Sequence, residues 1–184
     1  EIRTPLNGII GFTDLLRNTN LDVVQTKYMD TINKSANSLM EIINDILDFS
    51  KIESGKMELD ISNYDIRELA SDVVELFKYE TKQRNIELKL NIDINVPNII
   101  QIDGIRLKQI MMNLLSNAVK FTRKGSVTLK IICLEKKEDE LCSLQFSVID
   151  TGIGIPHHYQ QKIFEAFSQG DTSTTRKFGG TGLG

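Results

Sequence analysis

The sequence predicts an α+β fold in two parts. A helical hairpin that pairs with a second copy as a four-helix bundle is followed by an α/β sandwich with helices on one face of a mixed sheet. Three observations lead there. Apolar residues recur at helical spacing over 2–52, and after Gly55 the pattern shifts to short alternating segments. Two glycine-rich stretches, DTGIGIP at 150–156 and FGGTGLG at 178–184, follow a helix-like NLLSNAVKFT at 113–122. A chain of 184 residues allows one large domain or two small ones, and the change of pattern favours two, 1–54 and 55–184.

In the first part, Leu6, Ile9, Phe12, Leu15 and Leu16 form the stripe of an amphipathic helix, which the turn formers of 18–22 interrupt. A longer stripe then runs through Met29, Ile32, Ala36, Leu39, Ile43, Ile46, Phe49 and Ile52 in steps of three and four, as in a coiled-coil seam. Two antiparallel helices alone cannot bury both stripes, so a homodimer is expected. The opening EIRTPL is unusual, because Pro5 is expected to kink the helix or remove one backbone bond. Glu1 and Thr4 stand three apart and share a face, so a carboxylate and a hydroxyl both address what lies just upstream.

In the second part, the pattern predicts a strand at 57–61, a helix from Ile66 to about Gln83 and a strand at 86–92. Asp65 followed by Glu68 has the spacing of a capping box, and Asp103 is placed to cap a helix over 105–121. Strands at 127–134 and 141–149 flank the charged EKKEDE, which reads as a solvated hairpin loop.

Composition narrows the function classes. The 40% apolar and 26% charged fractions are those of an ordinary folded chain, and no apolar run approaches the roughly 18 residues of a membrane span. A net charge of −3 with scattered basic residues gives no footprint for nucleic acid. Cys133 and Cys142 are expected to be reduced and structural, and His157 and His158 have no acidic or thiol cluster around them that would make a zinc site.

The glycine-rich stretches carry the chemistry. Glycine lets the backbone approach a ligand closely, so that peptide N–H groups can face phosphates. Asn113 and Asn117 lie four apart on one helix face and offer amide oxygens to a hard cation such as Mg²⁺. Asp150 ends an apolar strand beside Gly152 and Gly154, where its carboxylate can accept an adenine amino hydrogen. DTGIGIP by itself is equally a tight turn, and Phe164 and Phe167 of FEAF could wall the pocket, although two aromatics three apart are more often plain core. The polar 168–177 suits a lid.

Taken in order, EIRTPLNGIIGF, LKQIMMNLLSNAVKFT, DTGIGIP, FEAF and FGGTGLG closely resemble the catalytic core of sensor histidine kinases of two-component signalling systems. The resemblance covers nearly the whole chain. It implies a dimerisation and phosphotransfer hairpin followed by an ATP-binding domain of the GHKL (Bergerat) type. It further implies that Asn113 holds Mg²⁺, that Asn117 and Lys120 lie near the phosphates, and that Asp150 binds adenine with help from Gly152 and Gly154. Gly180, Thr181, Gly182 and Gly184 are implied to shape the lid and phosphate edge, with Arg176 as a phosphate contact.

The same resemblance places the family's phosphoacceptor histidine just before Glu1 and expects the ATP-binding domain to continue past Gly184. Its implied reaction is autophosphorylation of that histidine from ATP, with Glu1 as the nearby base. Transfer to an aspartate of a response-regulator receiver domain follows. Thr4 is implied to position water for the reverse job on the receiver. A cytoplasmic location is expected, with any membrane anchor upstream and no membrane contact by this stretch. Two other readings remain open, a GHKL-type ATPase and a non-catalytic, nucleotide-responsive dimer scaffold. The ATPases carry a glutamate where this chain has Asn113, and an amide cannot serve as a base.

Overall fold

The computed structural model describes residues 2–136, 141–160 and 163. These divide into two compact units, the first ending at Met57 and the second beginning at Glu58. The first unit is a pair of helices, α1 (Arg3–Arg17) and α2 (Val23–Glu53). Helix α2 starts with a complete capping box that the sequence reading missed. The Asp22 side chain accepts from the Gln25 backbone N–H at 2.8 Å, and the Asp22 backbone N–H donates to Gln25 Oε1 at 3.0 Å. Pro5 does not disturb α1. It falls in the first turn, where an N–H would have no intrahelical acceptor, so the expected kink or lost bond does not arise.

Three polar contacts hold α1 and α2 in one antiparallel register. Arg3 Nη2 donates to Asn44 Oδ1 at 2.5 Å, Asn33 Nδ2 donates to Asp14 Oδ1 at 2.7 Å, and Arg17 pairs with Asp30 at 3.3 Å. Among the hairpin's described residues only Leu6, Thr13 and Ala36 are buried. Ile9, Phe12, Leu15 and Leu16 of α1, with Ile32, Leu39 and Ile46 of α2, stay exposed. Much of the apolar stripe read from the sequence is therefore left uncovered by the hairpin itself.

The second unit contains β1 (Ser62–Asp65), α3 (Ile66–Gln83), β2 (Ile86–Ile92), β3 (Ile99–Ile102), α4 (Gly104–Phe121), β4 (Gly125–Lys136) and β5 (Cys142–Asp150). A short 3-10 turn, His157–Tyr159, comes after them. The main sheet has the order β2-β4-β5, with β2 parallel and β5 antiparallel to β4, so it is mixed as expected. Its core face presents Ile86, Val127, Leu129 and Ile131, which pack with Ile66, Ala70 and Val73 of α3 and Met111, Leu115 and Val119 of α4. The alternate residues Glu87, Lys89, Asn91 and Gln145 are exposed, so the helices cover one face.

Two expectations need correction. The strand expected at 57–61 forms no ladder, and β1 starts one residue later, where Ser62 pairs with Ile102 of β3. Beyond that register position the partner chain becomes the α4 cap, and the Asp60 N–H is taken by Asp103 Oδ2 at 3.1 Å instead of by a strand. The capping box expected at Asp65 is one-sided: Asp65 Oδ1 accepts from Arg67 N and Glu68 N at 2.9 and 3.1 Å. The four-residue β3 was not foreseen. Among the described residues no helix is long and apolar enough to cross a membrane.

On α2, the half-buried Asp45 carboxyl is held above its ordinary value, first by burial and then by the charge of Asp48 three residues on. A carboxyl raised in the folded state favours its protonated form there. Folding therefore gains stability as pH falls from neutral through the raised value toward 3.8, the unfolded reference. Asp45→Asn is expected to raise stability at neutral pH and to remove that acid-side gain, as read by thermal unfolding across a pH series.

Candidate functional site

The candidate site is assembled where α4 ends and the 150–156 loop begins. Helix α4 is started by Asp103, whose Oδ1 accepts from the Arg106 backbone N–H at 3.0 Å. That bond is the main reason the Asp103 carboxyl lies below its ordinary value. The Asp60 N–H and the Arg106 charge add to it, and desolvation opposes it. Met111, Leu115, Ala118 and Val119 turn inward. The opposite face therefore presents Asn113 and Asn117, both exposed and one turn apart as the spacing predicts. Neither amide has a hydrogen-bond partner among the described residues, so both can meet a ligand. Lys120 is half-buried, with its Nζ 5.3 Å from the centroid of the Phe121 ring.

Strand β5 delivers Asp150 opposite Val127 of β4, at the edge of the core. Asp150 is exposed, and its Oδ1 accepts from the Gly152 N–H at 2.8 Å. That Asx-type turn swings the loop against the end of α4. A Cβ on Gly152 would stand 2.6 Å from the Phe121 carbonyl oxygen, and the same oxygen accepts from the Ile153 N–H at 3.4 Å. Asp150, Gly152 and Gly154 are thus brought to the helix end that carries Asn117 and Lys120. Gly154 has φ +68.

Thr151, which the sequence reading passed over, fastens the loop to the sheet. Its N–H donates to Ser126 O at 3.1 Å, and its Oγ1 accepts from the Ser126 N–H at 2.9 Å. The contact requires glycine at 125, where φ is +119 and a Cβ would lie 2.1 Å from Thr151 Oγ1. Thr122 was also missed. Its hydroxyl is buried immediately after α4 and has no hydrogen-bond partner among the described residues. The signal for both was their place inside the quoted motifs, since a threonine carries no pattern of its own.

Thr4 is exposed in the first turn of α1, in the first unit. Glu1, Phe164, Phe167, Arg176, Gly180, Thr181, Gly182 and Gly184 lie outside the described residues. The free amides, the exposed carboxylate and the close-approach glycine are a donor and acceptor set that fits a nucleotide and its cation.

Residues 1–55 match the family of the His Kinase A (phospho-acceptor) domain. Residues 102–184 match the family described as histidine kinase-, DNA gyrase B-, and HSP90-like ATPase. Signal transduction histidine-protein kinase BarA of Escherichia coli (strain K12) is 44% identical over 186 residues, covering 100% of this chain and 20% of that protein. The chain belongs to the sensor histidine kinases.

Among solved structures of histidine kinases, full-length ShkA in complex with AMPPNP superposes with a TM-score of 0.81 at 35% identity. The match covers 99% of this chain and 36% of ShkA. Histidine kinase ThkA in complex with the response regulator TrrA gives 0.59 at 26% identity, covering 91% of this chain and 48% of ThkA. The fold is therefore that of the histidine kinase core, with its helical hairpin and GHKL-type α/β unit. The chain spans about one fifth of the length of BarA.

Two outcomes follow for this kinase core. Gly125→Ala forces a Cβ onto the Thr151 hydroxyl at a positive φ, and is expected to destabilise the α/β unit by roughly 2 kcal/mol or more in chemical denaturation. Asp103 stabilises above its unfolded reference of 3.8, and the contribution is lost as pH falls through its lowered folded value. Asp103→Asn keeps a capping oxygen but no charge, so the acid limb of a melting-temperature profile should flatten.

Proposed function

We propose that this chain is the catalytic core of an ATP-dependent sensor kinase. It autophosphorylates a histidine just upstream of Glu1 and passes the phosphoryl group to a response-regulator aspartate. The observation that carries the reading is the junction of α4 with the 150–156 loop, which gathers Asp150, Gly152, Asn117 and Lys120. Residues 1–54 would form the dimerisation and phosphotransfer hairpin and 55–184 the ATP-binding domain.

In this reading Asp150 accepts the adenine amino hydrogen, using the carboxylate capacity left after its bond to Gly152. Asn113 and Asn117 offer amide oxygens to Mg²⁺. No three His, Cys, Asp or Glu side chains converge among the described residues, so the ion would be shared with the ATP phosphates. Mg²⁺ supplies charge neutralisation on the phosphates, and Lys120 adds a second positive charge there. Phe164 and Phe167 would wall the pocket. Arg176, Gly180, Thr181, Gly182 and Gly184 would close over the phosphates.

The chemical step is an in-line displacement. An unprotonated imidazole nitrogen bonds to the γ-phosphorus, the bond from phosphorus to the bridging oxygen breaks, and ADP leaves. Glu1 accepts the proton from the other ring nitrogen and orients the ring. Thr4, exposed on the first turn of α1, would position water for removal of phosphate from the receiver. The exposed stripe of Ile9, Phe12, Leu15 and Leu16 supports a homodimer, since a second hairpin would cover it. The receiver as partner is supported by the ThkA–TrrA complex. ATP as substrate and the free thiols of Cys133 and Cys142 fit a cytoplasmic site of action.

Incubating the full-length protein with Mg-ATP should add one acid-labile phosphate per chain at the residue before Glu1. Asn113→Ala is expected to lower the rate roughly 100-fold, the scale of one lost electrostatic contact to reacting phosphate. Nucleotide binding without any covalent phosphate would instead favour the non-catalytic scaffold.

A further inference from the structure

The geometry points to Arg84 as a positioning residue for the nucleotide site, acting from a different helix through the end of α4. The inference rests on the nucleotide reading given above, and Arg84 belongs to none of the motifs that led to it.

Helix α4 stops at Phe121 because Thr122 is extended, with φ −94 and ψ 118. Its last turns therefore leave carbonyls that no helical N–H can reach. Three are accounted for, each differently. The Ala118 carbonyl accepts from the Thr122 N–H at 3.0 Å, and the Phe121 carbonyl accepts from the Ile153 N–H at 3.4 Å. The Val119 carbonyl accepts from Arg84 Nη1 at 3.2 Å. Arg84 is thus the side chain that reaches from α3 into the terminal turn of α4.

Local structure aims it there. Arg84 is the C-cap of α3, and Asn85 follows in the left-handed region at φ 54, which turns the chain into β2. One turn back, Glu80 Oε1 holds Arg84 Nη2 at 2.7 Å, so the guanidinium fork spans a carboxylate and a helix-end carbonyl. A cation at a helix C-terminus is also favoured by the peptide dipoles. Val119 is flanked by Asn117 two residues before and Lys120 one residue after. Holding its carbonyl therefore sets the rotation of the turn that presents both groups. Arg84 and the Ile153 bond thus both hold this turn, while the 150–156 loop has its own anchor on β4.

The test compares AMPPNP affinity in the full-length protein, well below the melting temperature, for wild type, Arg84→Ala, Arg84→Lys and Glu80→Gln. Val73→Ala, a buried α3 residue, serves as a control for destabilisation alone. Arg84→Ala is expected to weaken AMPPNP binding roughly fivefold, the scale of one partly exposed charged hydrogen bond. Arg84→Lys should recover part of that loss, and Glu80→Gln should weaken binding less because the Val119 bond remains. Val73→Ala should bind AMPPNP as wild type does while melting lower. Unchanged affinity in Arg84→Ala, or an equal loss in Arg84→Ala and Val73→Ala, overturns the positioning role. Wild-type protein that binds no AMPPNP overturns the nucleotide reading itself, and this inference with it.

Discussion

The Phe121 carbonyl oxygen is the point on which the site depends. It lies at the C-terminal end of α4, and the 150–156 loop meets it with the Ile153 N–H and with a glycine that brings the backbone within what would be collision distance for any Cβ. Helix and loop are separated in the chain by β4 and β5. That meeting brings Asp150 to the helix end that carries Asn117 and Lys120. The loop is itself fixed in the other direction by Thr151, through the paired bonds to Ser126 at the start of β4. A soft segment so anchored at both sides presents its carboxylate from a rigid frame.

The hairpin works by a different balance. Its few interhelical polar contacts, Arg3 to Asn44, Asp14 to Asn33 and Arg17 to Asp30, contribute little energy each because they are exposed. Their value is register, since all three agree on one antiparallel alignment. The larger apolar energy is not collected within the hairpin, where Phe12 is 71% exposed and Leu15 64% exposed. In the proposed reading, association with a second copy is the route by which that surface leaves water.

Much of this was legible from sequence because the periodicities are strong and local. Ile66 to Gln83 and the Asp103 cap emerge as read, since an acidic N-cap before an apolar stripe needs nothing distant. The ladder of β1 with β3 was not legible. SNYD has no alternating apolar pattern, and IIQI is too short to show a period, so their pairing exists only through each other. The capping box at Asp22 is masked in the sequence by the turn formers around it, and Pro5 costs no backbone bond because the first turn of α1 supplies no acceptor for an N–H there.

By itself the sequence determined the two-part organisation, the helical faces, the exposed asparagine pair and the motif order that identifies a sensor histidine kinase core. Each of these depends on residues near one another in the chain. The tertiary structure alone decided which carbonyls at the end of α4 find donors, that Thr151 binds Ser126 across the sheet, and that Arg84 reaches Val119 from another helix. Those contacts join residues dozens of positions apart, and no local propensity encodes them. A backbone group that its own helix or strand leaves unmatched takes its partner from wherever in the chain the fold brings one.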